Sequence, residues 1–154
     1  MGTLVIGCGN ADRGDDAAGL LVARRLREMG VEAQEQSGEA LALMESWRGA
    51  GEDVEVVLID AVVTGAPVGT ITVWDAREAP VIGDFLRCST HAFGVAEAIQ
   101  LARVVDLLPP RMLIYGIDAG RFDFGAPPSV EVAWAIEEVA ERIRQHVGAV
   151  AGRC

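Results

Sequence analysis

Asp16, Asp60 and His91 are the side chains of this sequence whose types and positions could do chemistry together. Asp16 opens a helix after the first apolar strand, Asp60 follows a central strand, and His91 precedes a later helix. Residues at the C-terminal ends of neighbouring parallel strands converge on the crevice where the chain connections diverge, so separation in sequence does not keep them apart in space. Two carboxylates and an imidazole suit a borderline divalent ion such as Ni²⁺, Zn²⁺ or Co²⁺, and no thiolate completes a closed structural zinc site. Open coordination positions would be left for water or for ligands from another molecule. Each residue also has a simpler reading. Asp15 and Asp16 are favoured in any first helical turn, Asp60 can merely end a strand, and His91 can be structural. His146 reads as a cation near the C-terminal end of the last helix, and Asp12, Asp118 and Asp123 as loop or supporting residues.

The loop that carries Asp16 is punctuated by glycine: Gly7-Cys8-Gly9-Asn10, then Gly14-Asp15-Asp16-Ala17-Ala18-Gly19. A phosphate is held at a helix N-terminus by unpaired N–H groups and the helix dipole, but here two aspartates already occupy that field. Aspartates so placed attract a cation. Glu35 lies near the distance at which an acid would bind a ribose, yet the glycine spacing is not G-x-G-x-x-G, so a nucleotide-binding module is the weaker alternative. A serine or cysteine hydrolase would need a nucleophile elbow, and no G-x-S-x-G is present. Cys8 reads as a small residue filling a tight turn, and Asn10 as a turn former.

Apolar periodicity supplies the elements that must position these residues. Residues 3–6 form a short buried strand, and residues 16–29 an amphipathic helix stopped by Gly30. Residues 31–36 alternate as an edge strand would, residues 40–47 make a short helix, and residues 54–59 a central buried strand ending at Asp60. After the turn 64–69, the strand at 70–74 is expected to run antiparallel or at an edge. A helix at 95–108 closed by Pro109-Pro110, a strand at 112–117 and a helix through about 147 capped by Ser129 complete the order. The expected fold is α/β, a three-layer α/β/α sandwich around a twisted, mostly parallel five-stranded sheet with one antiparallel strand.

With 154 residues, 51% apolar and 5% aromatic, the chain fits a single aliphatic-cored domain at 1–150, with 151–154 as a disordered tail. Acidic residues outnumber basic ones 23 to 13, and the net charge of -10 opposes binding to nucleic acid or to anionic membranes. A strand begins by residue 3 and no apolar run reaches about 18 residues, so a cytoplasmic location is expected. Cys8, Cys88 and Cys154 are widely spaced, as free thiols would be.

Taken with Asp60-Ala61-Val62, Gly65, Pro67, Gly69, Thr70, Ser89-Thr90-His91, Leu108-Pro109 and Gly116-Ile117-Asp118, the opening loop resembles the nickel-iron hydrogenase maturation proteases. The resemblance covers nearly the whole chain. It implies an endopeptidase that trims the C-terminus of a hydrogenase large-subunit precursor after nickel insertion, usually following a His or Arg. Asp16, Asp60 and His91 match the family's metal-contacting residues and would be both metal ligands and catalytic groups. The nickel would be supplied by the precursor rather than held permanently, and the protease would act as a monomer, with neither nucleic acid nor membrane as partner. Ala17 stands where many members have glycine, which removes no ligand. A non-proteolytic nickel-binding or adaptor protein of hydrogenase assembly would use the same ligands and is the other alternative.

Overall fold

Aliphatic residues run almost without interruption through 54–62, and they form the middle of the sheet. The computed structural model describes residues 2–37, 39–78 and 95–152. Its strands are β1 (Gly2–Cys8), β2 (Gln34–Gln36), β3 (Val54–Val62), β4 (Ile71–Asp75) and β5 (Met112–Asp118). They lie in the order β2-β1-β3-β5-β4. The first four of that order are mutually parallel, and β4 runs antiparallel to β5. The described helices are α1 (Ala18–Glu28), α2 (Ala40–Arg48), α3 (Val95–Val104) and α4 (Val130–Ala151), with a short 3-10 turn at Gly14–Ala17 leading into α1.

Period-2 alternation divides the core into two layers. Ile6, Val56, Leu58, Ile114 and Met112 pack on Leu43 and Trp47 of α2 and Ile99 of α3. Val5, Val57, Ile59 and Ile117 turn the other way, onto Val22 and Leu26 of α1 and Val139 and Ile143 of α4. Because β3 and β5 are covered on both faces, their sequence is mostly apolar instead of alternating, with Glu55, Asp60 and Asp118 as the charged exceptions. This is the α/β/α sandwich with a mixed five-stranded sheet that the periodicity predicts.

The boundaries differ in ways that matter for the site. Strand β3 does not stop before Asp60 but continues to Val62, with Asp60 opposite Gly116 of β5. Pairing with β1 ends one residue earlier, at Gly7 opposite Ile59. Asp60 therefore stands where the central strand outruns its neighbour. Helix α1 enters through the 3-10 turn and not directly from Asp16. Helix α3 ends at Val104, before the prolines: Asp106 adopts φ 57°, and the Leu107 N–H donates to the Ala102 carbonyl at 2.8 Å. That is the same stop that Gly30 gives α1, with φ 83° and Val31 N–H donating to Leu26 O. Strand β2 is confined to Gln34–Gln36, and α4 extends to Ala151. Among the described residues no helix is long and apolar enough to cross a membrane.

Glycine sets the height of α1 over the sheet. A Cβ on Gly19 would lie 2.1 Å from the Cys8 carbonyl oxygen and 2.4 Å from that of Ile59, and one on Gly7 would lie 2.0 Å from Gly19 O. These neighbours are backbone atoms that cannot rotate away. Gly19→Ala is expected to destabilise the protein by about 3 kcal/mol in urea unfolding. Gly49→Ala, with nothing within 4 Å of the added carbon, should change stability by less than about 0.5 kcal/mol.

Candidate functional site at the carboxyl edge of the sheet

Beyond β1 the chain turns at Gly9 and Asn10 and re-enters as the 3-10 turn that carries Asp15 and Asp16. The Asn10 N–H donates to Asp16 O at 3.1 Å, and a Cβ on Gly9 would lie 2.4 Å from that same oxygen. Gly9 must therefore lack a side chain for the turn to close. The N–H of Gly9 donates to Gln36 O, tying the turn to β2.

The adjacent aspartates have different tasks. Asp15 is fully buried, and its carboxylate accepts the N–H groups of Gly120, Arg121 and Ser129 at 2.7–2.9 Å together with the Ser129 hydroxyl. Burial pushes its pKa up, but the backbone donors from Gly120, Ser129 and Arg121 and the Ser129 hydroxyl outweigh that, holding it below the ordinary carboxylate value. Asp15 is thus committed to the loop between β5 and α4, not to a cation. Ser129 does stand at the N-cap of α4, as its sequence position predicts, but it makes no side-chain cap bond. Its hydroxyl is turned to Asp15 instead. Nor does the turn offer free donors for a phosphate: Asp15 N–H donates to Arg121 O and Asp16 N–H to Arg13 O.

Asp16 is also buried, and the Arg13 guanidinium lies 4.0 Å from its carboxylate. Arg13 donates in addition to Phe122 O at 3.2 Å and lies over the rings of Phe122 and Phe124. This arginine, which periodicity does not single out, is braced between the Asp16 turn and the β5–α4 loop. Asp60 is fully buried, and one of its carboxylate oxygens accepts the Ala61 N–H at 2.9 Å. By parity with Leu58 and Val62 it points to the α2 and α3 face, the face that also takes Cys8. Burial pushes the Cys8 thiol well above its usual pKa, and the nearby Asp60 charge pushes it further. A thiol so held is a small core residue and not a nucleophile.

The structure therefore brings Asp16 and Asp60 to one edge: α1 begins against the Ile59 carbonyl, the peptide immediately before Asp60. His91, the third residue of the expected set, lies outside the described residues, as do Cys88, Ser89, Thr90 and Cys154. Among the described residues no three His, Cys, Asp or Glu side chains gather closely enough to hold a metal ion. Asp118, read from sequence as a loop or supporting residue, is a supporting one. At the end of β5, it accepts the N–H and hydroxyl of Thr64 and so fixes the β3–β4 loop. His146 does not act at a helix end; α4 continues past it, and its Nε2 meets the Glu55 carboxylate early in β3, far from this edge.

The mixed five-stranded sandwich is also the fold of known maturation peptidases. The [NiFe] hydrogenase maturation protease HybD from Thermococcus kodakarensis superposes with a TM-score of 0.77 at 24% identity, over 96% of this chain and 99% of that one. The hydrogenase maturating endopeptidase HybD from E. coli gives 0.76 at 21%, over 93% and 90%. The endopeptidase HycI from Escherichia coli gives 0.71 at 20%, over 92% and 88%. At such identities the likeness establishes the fold. Among curated proteins none matches the chain. The family model for hydrogenase maturation protease, HycI, matches residues 39–146, well over half of the sequence and inclusive of Asp60 and His91. The chain belongs to the hydrogenase maturation protease family.

Replacing Asp15 by Asn should cost about 2–3 kcal/mol at neutral pH, because donors that now meet a charged acceptor would face an amide. The sign of the pH dependence follows from the lowered folded-state pKa. The contribution is fully present above the ordinary value of 3.8 and is lost as the pH falls through the lower folded value. Urea titrations should show the gap between wild type and Asp15→Asn closing only in that acid range.

Proposed function

We propose that the protein is an endopeptidase that removes the C-terminal extension of a nickel-iron hydrogenase large-subunit precursor, and that nickel already in the precursor is its recognition element. The observation that carries this reading is the pair of buried carboxylates, Asp16 and Asp60, held at one sheet edge in a chain of the maturation protease family. Carboxylate oxygens are suitable ligands for a divalent ion delivered by a substrate. The nickel is substrate cargo. Asp16, Asp60 and His91 would meet it as oxygen and nitrogen ligands, leaving positions for the precursor's own ligands.

Peptide cleavage requires water to add to the scissile carbonyl and a proton to reach the departing amine. A carboxylate within reach of that water can take its proton, and the ion can polarise the carbonyl. Asp16 and Asp60 are the groups for the first task. Their supports keep the geometry fixed: the Gly9–Asn10 turn positions Asp16, β3 carries Asp60 one residue past its pairing with β1, and the Asp15 anchor holds the turn. The protein acts before the assembled hydrogenase closes, where a protruding C-terminal segment is still accessible.

Nickel-loaded and nickel-free precursor, each incubated with the protein, give the direct test by C-terminal mass. Only the loaded form should be shortened; cleavage of both would remove nickel recognition from the proposal, and cleavage of neither would overturn it. Asp16→Asn, Asp60→Asn and His91→Ala should each slow processing by at least about 100-fold, with native far-UV circular dichroism. Nickel uptake from the precursor without any shortening would instead identify a metal-binding adaptor.

A further inference from the structure

The outward face of α4 near its N-terminus is apolar where a surface helix should be polar. Trp134 is 72% exposed, Val130 60% and, just before the helix, Phe124 79%. Such residues scattered singly need no explanation, but Trp134 lines one of two depressions that meet. The inner one, about 360 Å³, is lined by Asp15, Val68, Arg121, Ser129 and Glu131 among others, and so begins beside the site turn. The outer one, about 400 Å³, shares Val68 and Glu131 and continues along Trp134 to Glu138. The trough therefore runs outward from the Asp15 side of the turn.

Its charge is specific. Glu131, Trp134 and Glu138 follow at three- and four-residue spacing, so one carboxylate lies a turn to either side of the indole. Among the described residues no basic side chain lines the outer depression, and Arg121 lines the inner one. Glu138 is paired with Arg142 at 2.9 Å, whereas no ion pair engages Glu131 among the described residues. An exposed indole between two carboxylates is a receptor for a cation carried on an apolar stem. A protein substrate must also be gripped over roughly 800 Å² on each partner, far more than two buried carboxylates present.

We propose that Trp134, Glu131 and Val68 form a docking surface for the protein substrate, occupied by a lysine or arginine side chain on an apolar surface of the precursor. The proposal rests on the proteolytic reading above, and it assigns that substrate a contact separate from the reacting groups. Trp134 is an anchor and takes no part in the chemistry. Its loss should raise KM and leave kcat alone, the pattern of a contact made equally in ground and transition states.

Fluorescence separates the two readings, because Trp47 and Trp74 are buried at 3% and 8% exposure while Trp134 is open. Acrylamide quenching of Asp60→Asn protein, with and without nickel-loaded precursor, reports burial of Trp134 without any cleavage. Kinetics of Trp134→Ala, Trp134→Phe and Glu131→Lys in an otherwise wild-type protein complete the test. The expected result is protection of the exposed indole, a KM raised roughly tenfold in Trp134→Ala and Glu131→Lys, and near-normal KM in Trp134→Phe. Normal cleavage with an unprotected indole and unchanged KM would overturn the docking surface and leave the protease reading intact. Protection without cleavage by wild type would uphold the surface and overturn the protease reading, and neither protection nor cleavage would overturn both. Protection of Trp134 in the protein alone as its concentration rises would assign the face to a second copy and overturn the proposal.

Discussion

Everything at the working edge depends on how closely α1 can approach the sheet. Gly19 packs against the carbonyls of Cys8 and Ile59 at distances that leave no space for a Cβ, and Gly7 makes the reciprocal allowance. A helix raised to accommodate a methyl group would carry its entry turn with it. Asp16 would then move relative to Asp60, which is fixed in the strand. The glycines that resemble a phosphate cradle are thus packing residues whose effect is to place a carboxylate.

Buried acids in this chain are dealt with one by one. Asp15 is met by three backbone N–H groups and a hydroxyl, Asp118 by Thr64, and Glu55 by His146. Each of these stabilises a connection: the β5–α4 loop, the β3–β4 loop, and the packing of α4 over β3. Asp16, with Arg13 beside it, and Asp60, which accepts the Ala61 N–H, lie near the place where β3 extends past β1. A chain with net charge -10 would ordinarily keep carboxylates apart and in water. Here two lie below the surface at one edge.

Much of this was legible in sequence because the signals were redundant. The aliphatic run at 54–59, broken only by Glu55, reads as a doubly covered strand and Gly30 as the end of α1, and together with the turn at 64–69 they define the layers and the antiparallel β4. Asp16 and Asp60 followed from where those elements end. Asp15 was not separable from Asp16 by type or spacing; what distinguishes them is the donors of residues 120–129, which lie over a hundred positions away. Ser129 carried an N-cap signal that its position obeys and its hydroxyl does not, since the O–H donates to the charged Asp15 carboxylate and no helix N–H donates to its oxygen. Asp106 ends α3 in a left-handed conformation that aspartate adopts only by exception, so the prolines beyond it drew the prediction too far.

The bond between Asp15 and Ser129 spans 114 positions, and this has a bearing on how the protein comes into being. During synthesis the first strand and its turn emerge early, but the groups that hold the turn belong to the last quarter of the chain. Until those residues leave the ribosome, Asp15 faces water and the turn has no fixed shape, a long-range closure of the kind that slows folding. A nascent or truncated chain would possess both site aspartates and still lack the site. Proteolytic competence is thereby made contingent on completion of the molecule, so a half-made protease would not engage precursors in the same cell.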